Sequence, residues 1–205
     1  MTNEKDIKKD IINAAIDVFI AKGKSGARMQ EIADKAGVNK MLLHYYFRNK
    51  ELLFQEVLKN TLIDLYYSVV ETSFKTNNFK DTLAEFIDKH FEFLYKKRDV
   101  LRFLLWEVSH DGKDVYELIK NTFQKLGNTP MDALRERISV AIKNGEIREI
   151  NTSEFIFNLF SLDVFSIMVL PFVQLFSNID ENELQILMKK RKKEIFRILW
   201  SDIKL

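Results

Sequence analysis

Residues 29–47, MQEIADKAGVNKMLLHYYF, carry the most informative pattern in this chain of 205 residues. Apolar residues recur on one face of a short predicted helix over 29–36, and Gly37 interrupts it because glycine readily adopts the backbone of a sharp turn. Asn39 is a favourable N-cap, so a second short helix is predicted over 40–47. Two short helices joined by a turn of about three residues form a helix-turn-helix, although this arrangement also occurs in proteins that never bind DNA.

Upstream of this motif, a first helix is predicted from Asp6 to Lys22, and Gly23 is predicted to end it. Its apolar residues recur at spacings of three and four, as on one buried face of a helix. They are Ile7, Ile11, Ala14, Ala15, Val18 and Phe19. Long periodic stretches continue downstream, and the whole chain has only 6 glycines and 2 prolines. The chain is therefore predicted to be all-α, with about nine helices.

The composition is that of a globular protein, with 46% hydrophobic and 30% charged residues. The net charge of +2 is unevenly distributed, since residues 1–50 hold ten basic and six acidic residues. This modest excess suits contact with a polyanion. The absence of cysteine excludes disulfides and thiolate metal sites, and the three histidines lack the i, i+4 spacing of a helical metal site. No metal, cofactor or catalytic residue is therefore predicted, and the chain is not expected to be an enzyme.

Residues 11–58, IINAAIDVFIAKGKSGARMQEIADKAGVNKMLLHYYFRNKELLFQEVL, resemble the N-terminal domain of the TetR family of bacterial transcriptional regulators. The resemblance covers the aliphatic face of the first helix, the pattern E-I-A-x-x-A-G-V-N-K over 31–40 and L-x-x-Y-F-x-x-K-E-x-L-F over 43–54. It extends over about 45 residues and several independent positions. Residues 51–205 resemble the family only in their helical layout.

The resemblance implies a helix-turn-helix DNA-binding domain over residues 1–50 and a helical effector-binding and dimerisation domain over 51–205. It implies a cytoplasmic homodimer that binds a palindromic double-stranded operator. Repression, with release by a small apolar or amphipathic effector, is the expected activity. The two C-terminal helices, predicted over 152–176 and 181–201, are expected to form the dimer contact.

The second helix of the motif is expected to present its N-terminal side chains to bases and its flanks to phosphates. The predicted DNA-binding residues are Arg28, Asn39, Lys40, Met41, Leu42, His44, Tyr45, Tyr46 and Lys50. Two departures from the family pattern occur. Ala27 and Arg28 replace the usual Thr or Ser before the second helix, so a weaker cap is expected there. Met41 and Leu42 replace small or hydroxyl residues, and they can touch thymine methyl groups but cannot hydrogen-bond bases.

Aromatic residues are frequent between residues 80 and 176, where the resemblance implies an effector cavity. The predicted cavity residues are Phe86, His90, Trp106, Tyr116, Phe123 and Asp163. Each aromatic ring is also explained by ordinary core packing. His90 is also explained as a core histidine bonded to a neighbour, and Asp163 as a partner of a basic residue across the dimer or a cap at a kink. A buried Asp163 needs some partner, since an unpaired carboxylate in an apolar site is very costly.

Two further segments have competing interpretations. Residues 155–176 are apolar enough to suggest a membrane span, but Asp163 in mid-span is costly in lipid, so a buried helix without membrane contact is predicted. The basic run over 189–193, KKRKK, suggests a second nucleic-acid patch. Consecutive helical residues point in different directions, so a solvated flank is favoured.

The alternative function is a hydrophobic-ligand-binding protein of the same fold with weak or no DNA binding. The discriminating feature is an electropositive face formed by Arg28, Lys40 and Lys50.

Overall fold

The computed structural model describes residues 4–73, 76–110, 112–127 and 129–205, and these residues form helices and connecting turns with no strand. The all-α prediction is therefore confirmed for the described residues, but the predicted number of about nine helices is too low. Eleven helices are present over these ranges: α1 (Glu4–Gly26), α2 (Met29–Lys35), α3 (Lys40–Tyr46), α4 (Lys50–Ser73), α5 (Phe79–Lys96), α6 (Arg98–His110), α7 (Gly112–Lys125), α8 (Pro130–Lys143), α9 (Thr152–Met168), α10 (Leu170–Ser177) and α11 (Glu181–Ile203).

The chain divides into two compact units. The first consists of Met1–Ile63 and Asp99–Lys125, and the second of Asp64–Arg98 and Leu126–Leu205. The first unit thus contains the helix-turn-helix together with Asp99–Lys125, a segment that was predicted to belong to the effector domain. The predicted division at residue 50 stays a prediction.

The core of the first unit contains a cluster of three phenylalanine rings. Phe19 of α1 stacks on Phe103 of α6 with a centroid distance of 5.9 Å, and Phe54 of α4 meets both rings edge-on at 5.8 Å. All three side chains are buried. These rings therefore connect α1 to α4 and α6.

The helix predicted to end before Gly23 is interrupted at that residue, and a short further helical stretch follows it within α1. Gly23 has φ 69° and ψ 166°, and helical structure resumes as far as Gly26. Beside the kink, the backbone N–H of Lys24 donates to the buried carboxylate of Glu107 in α6 at 3.2 Å. Residues far apart in sequence thus stabilise the interruption.

The turn between α2 and α3 follows from local sequence. Gly37 has φ 67° and lies in the left-handed region. The N–H groups of Gly37 and Val38 donate to the carbonyl oxygens of Asp34 and Ala33, at 3.2 and 3.0 Å. These two bonds form a Schellman motif, which ends α2 and turns the chain toward α3.

The second unit is built mainly from α5, α8, α9 and α11, which pack against one another. Capping boxes begin two of its helices, with Thr129 and Asp132 at α8 and Asp180 and Glu183 at α11.

The single helix predicted over 152–176 is wrong, because α9 ends at Met168 and α10 begins at Leu170. Pro171 cannot donate a backbone hydrogen bond and crowds the preceding turn, which accounts for the break.

No single helix among the described residues is long and apolar enough to cross a membrane. The pair α9 and α10, bent by 49°, passes such a test only when the two helices are taken together, by length and composition alone.

Candidate nucleic-acid interface and effector site

Helix α3 is positioned by one cap and two buried anchors. The side chain of Asn39 accepts a hydrogen bond from the N–H of Leu42 at 2.8 Å, which begins the helix at Lys40 as predicted. Leu43 and Phe47 are buried and hold the inner face. The opposite face is open to solvent, with Met41 and Tyr45 exposed by 83% and 73%.

The structure exposes most of the predicted DNA-binding residues. Arg28, Asn39, Lys40, Met41, His44 and Tyr45 are exposed, whereas Leu42 and Tyr46 are half-buried. The ring nitrogen Nδ1 of His44 lies 3.0 Å from the carbonyl oxygen of Arg48, so Nδ1 acts as the donor there. Partial burial and the charge of Glu4 raise the pKa of Tyr46, so its hydroxyl stays protonated and is able to donate.

Lys50 has another role in this structure. Its ammonium donates to the backbone carbonyl oxygens of Ser25 and Ala27, both at 2.9 Å. These carbonyl groups lie at the end of α1 and in the connection to α2, so Lys50 ties this connection to the start of α4. Its charge also remains near the helix-turn-helix.

Arg28 occupies the N-cap position of α2 and makes no side-chain capping bond there. This agrees with the weaker cap expected from its replacement of Thr or Ser. A carboxylate in the first turn of α2 offsets part of this loss, because Glu31 favours the helix N-terminus. A hydrogen bond from Lys22 lowers the pKa of Glu31, which keeps this carboxylate ionised.

Several lysines of α1 and α2 form salt bridges, whereas the cations closest to α3 in sequence do not. Lys8, Lys22, Lys24 and Lys35 each pair with a carboxylate. Within the described part of the chain, no salt bridge engages the exposed residues Arg28, Lys40 and Arg48. Arg48 lies two residues beyond the end of α3 and was not among the predicted residues, since it stands at a variable position of the matched pattern. Unpaired cations at both ends of α3 suit contact with phosphates.

The predicted effector residues are divided between the two units. Phe86, His90 and Asp163 come together in the second unit. Trp106, Tyr116 and Phe123 belong to the first unit, where Trp106 and Tyr116 are about 60% exposed and Phe123 is buried. Trp106 stacks on His110 with a centroid distance of 4.0 Å and lines a cavity of about 430 Å³ beside Phe19 and Gly23.

His90 and Asp163 form a buried polar pair. Nδ1 of His90 lies 2.8 Å from Oδ2 of Asp163, and the two residues are exposed by only 2% and 0%. Phe86 stacks on the imidazole with a centroid distance of 5.5 Å, and Phe160 meets it edge-on at 5.0 Å. Phe160 was not among the predicted site residues. This contact agrees with the interpretation of His90 as a core histidine bonded to a neighbour, and the neighbour is Asp163.

The second oxygen of Asp163, Oδ1, is buried and has no hydrogen-bond partner among the described residues. Burial raises the pKa of Asp163, while the hydrogen bond and charge of His90 and the charge of Arg191 oppose the rise. Arg191 donates to the hydroxyl of Ser166 at 2.8 Å. The centre of the second unit therefore holds an unsatisfied acceptor, which is costly unless another donor reaches it.

The comparisons with known proteins agree with the fold and the motif. Residues 11–57 match the family model described as bacterial regulatory proteins, tetR family. The chain is 34% identical over 100 residues to the HTH-type transcriptional repressor SCO4008 of Streptomyces coelicolor, covering 49% of this chain and 48% of that protein. It is 47% identical over 55 residues to the HTH-type transcriptional regulator RutR of Escherichia coli strain K12, covering 27% and 26%.

The match to these two curated relatives thus spans half of their length or less. A solved structure extends the likeness in fold to nearly the whole chain. The transcriptional regulator FadR from Bacillus subtilis, crystallised with stearoyl-CoA, has a TM-score of 0.72 at 20% identity and covers 93% of this chain and 96% of that one. The predicted resemblance to the TetR family is confirmed.

The buried carboxylate yields a test of the second unit. A raised pKa means that the folded chain binds the Asp163 proton more tightly than the unfolded chain, so the wild type loses stability as the pH rises through the folded pKa. The Asp163→Asn variant lacks this titration. We expect the free energy of unfolding of the wild type to fall relative to that of the variant as the pH rises from about 4 through the raised pKa of Asp163.

Urea unfolding of both proteins at several pH values measures this difference. Asp64→Asn, at an exposed position, is the matched control. The free energy of unfolding of the wild type is not expected to fall in this way relative to that of the control. A wild-type-to-variant difference that stays constant between pH 4 and pH 8 would contradict the expectation.

Proposed function

We propose that this TetR-family chain is a homodimeric repressor that binds a palindromic double-stranded operator through α3 and is released by a small apolar or amphipathic effector. The observation that carries the proposal is the exposed face of α3 with unpaired cations at both ends. Arg28 and Lys40 lie before and at the start of the helix, and Arg48 follows it. A protein that had lost DNA binding has no need to keep three unpaired cations around an open helix face.

Phosphate contacts supply most of the affinity in this interface. The side chains proposed for this role are Arg28, Lys40 and Arg48 as cations, with the hydroxyl of Tyr46 as a neutral donor. Lys50 contributes indirectly to this interface, because it holds the backbone of the connection between α1 and α2. Two copies of α3 in a dimer would enter successive major grooves, about 34–36 Å apart along the duplex.

The dimer contact is proposed on the exposed apolar surface of α9 and α10. Phe157 and Phe165 are exposed by 73% and 68%, and with Ser161 between them they follow the spacing of four that places residues on one helix face. Phe172, Leu175 and Phe176 add an apolar patch on α10, exposed by 61 to 80%. A surface of this kind marks a contact with another protein.

The effector is proposed to reach the His90–Asp163 pair. Apolar rings surround these groups, and Oδ1 of Asp163 accepts no bond from the described residues. A ligand with an apolar body and one hydrogen-bond donor fits this environment. The stearoyl-CoA complex of FadR shows that a protein with this fold holds an amphipathic ligand.

The central proposal is tested by selecting genomic fragments with the purified chain and footprinting those that are enriched. Lys40→Ala is expected to weaken binding to the selected fragment at least tenfold at low salt, and to lower the slope of log affinity against log salt by about two, since the homodimer loses one phosphate contact in each half-site. Lys9→Ala, which removes an exposed lysine of α1, is the control and is expected to bind as the wild type does. Failure to enrich any fragment, together with no effect of Lys40→Ala, would overturn DNA binding.

Base reading by Met41 is tested with modified DNA. Deoxyuridine lacks only the methyl group of thymidine, so replacing one thymine of the half-site removes a single apolar group. We expect about fourfold weaker binding at one position, as for the removal of about 0.8 kcal/mol of methyl burial. The Met41→Ala variant should not distinguish the two bases there. Equal sensitivity of wild type and variant at every position would exclude this role.

The dimer surface is tested by light scattering at micromolar concentration. Phe165→Arg introduces two like charges into a symmetric interface, so the mass is expected to fall to that of a monomer and operator affinity to drop with it. Met131→Arg, at an exposed position of α8, should leave the dimer mass unchanged. A wild-type monomer, or a dimer unaffected by Phe165→Arg, counts against this surface.

A further inference from the structure

The second unit has a groove between α5 and α11 that neither DNA binding nor the buried polar pair uses. It encloses about 400 Å³. Ala84 and Ile87 of α5 and Phe196 of α11 provide its apolar lining, and Asp88 lines it on the α5 side. This volume lies within the range of small-molecule sites.

The basic run of α11 supplies the charged rim of this groove. Lys189, Lys192 and Lys193 line it, whereas Lys190 does not. Helical geometry explains the division, since residues three and four apart share a side of the helix and the next residue lies about 100° away. The run is therefore a solvated flank only in part, because three of its members converge on one cavity.

The charges of the groove do not cancel. Lys192 pairs with Asp88, the carboxylate that lines the groove. Within the described residues, Lys189 and Lys193 have no carboxylate partner, and the lining keeps an excess of two positive charges. Two ammonium groups at the mouth of an apolar groove attract an anion with an apolar body.

The apolar lining continues along α11 beyond the groove. Phe196 stacks on Trp200 with a centroid distance of 6.1 Å and an interplanar angle of 4°. The ammonium of Lys80 in α5 lies 5.8 Å from the centroid of the Trp200 indole. A ligand longer than the groove would meet this second aromatic surface, and a change in the environment of Trp200 reports its arrival.

We propose that the α5–α11 groove binds a small amphipathic carboxylate, with its apolar chain on Ile87 and Phe196 and its carboxylate between Lys189 and Lys193. This site is separate from the effector site proposed at His90 and Asp163. Its occupancy does not depend on DNA binding.

The test measures binding to the full chain directly, by titration calorimetry and tryptophan fluorescence. Decanoate is the probe, decanol tests the need for the charge, and inorganic phosphate tests the need for the chain. We expect saturable decanoate binding, at least tenfold tighter than that of decanol or phosphate. Lys189→Ala/Lys193→Ala should weaken decanoate binding at least tenfold, and Ala84→Trp should block it by filling the groove.

Matched variants distinguish this groove from general surface charge and from the buried polar pair. Lys190→Ala/Lys204→Ala removes two exposed lysines that do not line the groove, and decanoate binding is expected to stay as in the wild type. Asp163→Asn should also leave it unchanged. No decanoate binding, equal binding of decanol or phosphate, equal weakening in both lysine pairs, or weakening in Asp163→Asn would each overturn the proposal. Since the readout uses no DNA, these outcomes are independent of whether an operator is found.

Discussion

The packing of Phe19 against Phe54 and Phe103 is the contact on which the rest of the first unit depends. Phe19 belongs to α1, α1 contacts α2, and α2 contacts α3, so the position of α3 follows from where α1 is held. Removing a buried phenylalanine typically costs about 3–5 kcal/mol. Glu107 adds a polar contact beside this cluster, at the kink of α1. Helix α6 therefore makes both an apolar and a polar contact with α1.

The second unit depends on a different constraint, which is the burial of charge-capable groups. His90 and Asp163 lie in an apolar setting where each needs the other, because breaking a buried pair leaves an uncompensated polar group. Their bond leaves Oδ1 of Asp163 unsatisfied. The unsatisfied oxygen lowers the free energy of unfolding of this unit, but it also places a polar group inside an otherwise apolar helical core.

The character of each charged surface depends more on which cations form salt bridges than on how many basic residues it contains. In the first unit, salt bridges occupy Lys8, Lys22, Lys24 and Lys35 of α1 and α2, whereas Arg28, Lys40 and Arg48 form none among the described residues. In the same way, the basic run of α11 is divided by helical geometry. Arg191 donates to Ser166, Lys192 pairs with Asp88, and two other lysines rim a groove. Net charge alone distinguishes none of these surfaces.

By itself, the sequence determined the all-helical class, the helix-turn-helix and the start of α3, because periodicity, Gly37 and Asn39 act on neighbours within a few residues. It also contained the proline that divides α9 from α10, although the apolar run concealed that break. Only the tertiary structure decided which side chains meet across long separations. Lys50 is held by carbonyl groups 23 and 25 residues away, and Asp163 meets His90 at a separation of 73. Helical periodicity shows which face of a helix is buried, but the partner of that face depends on how the helices pack.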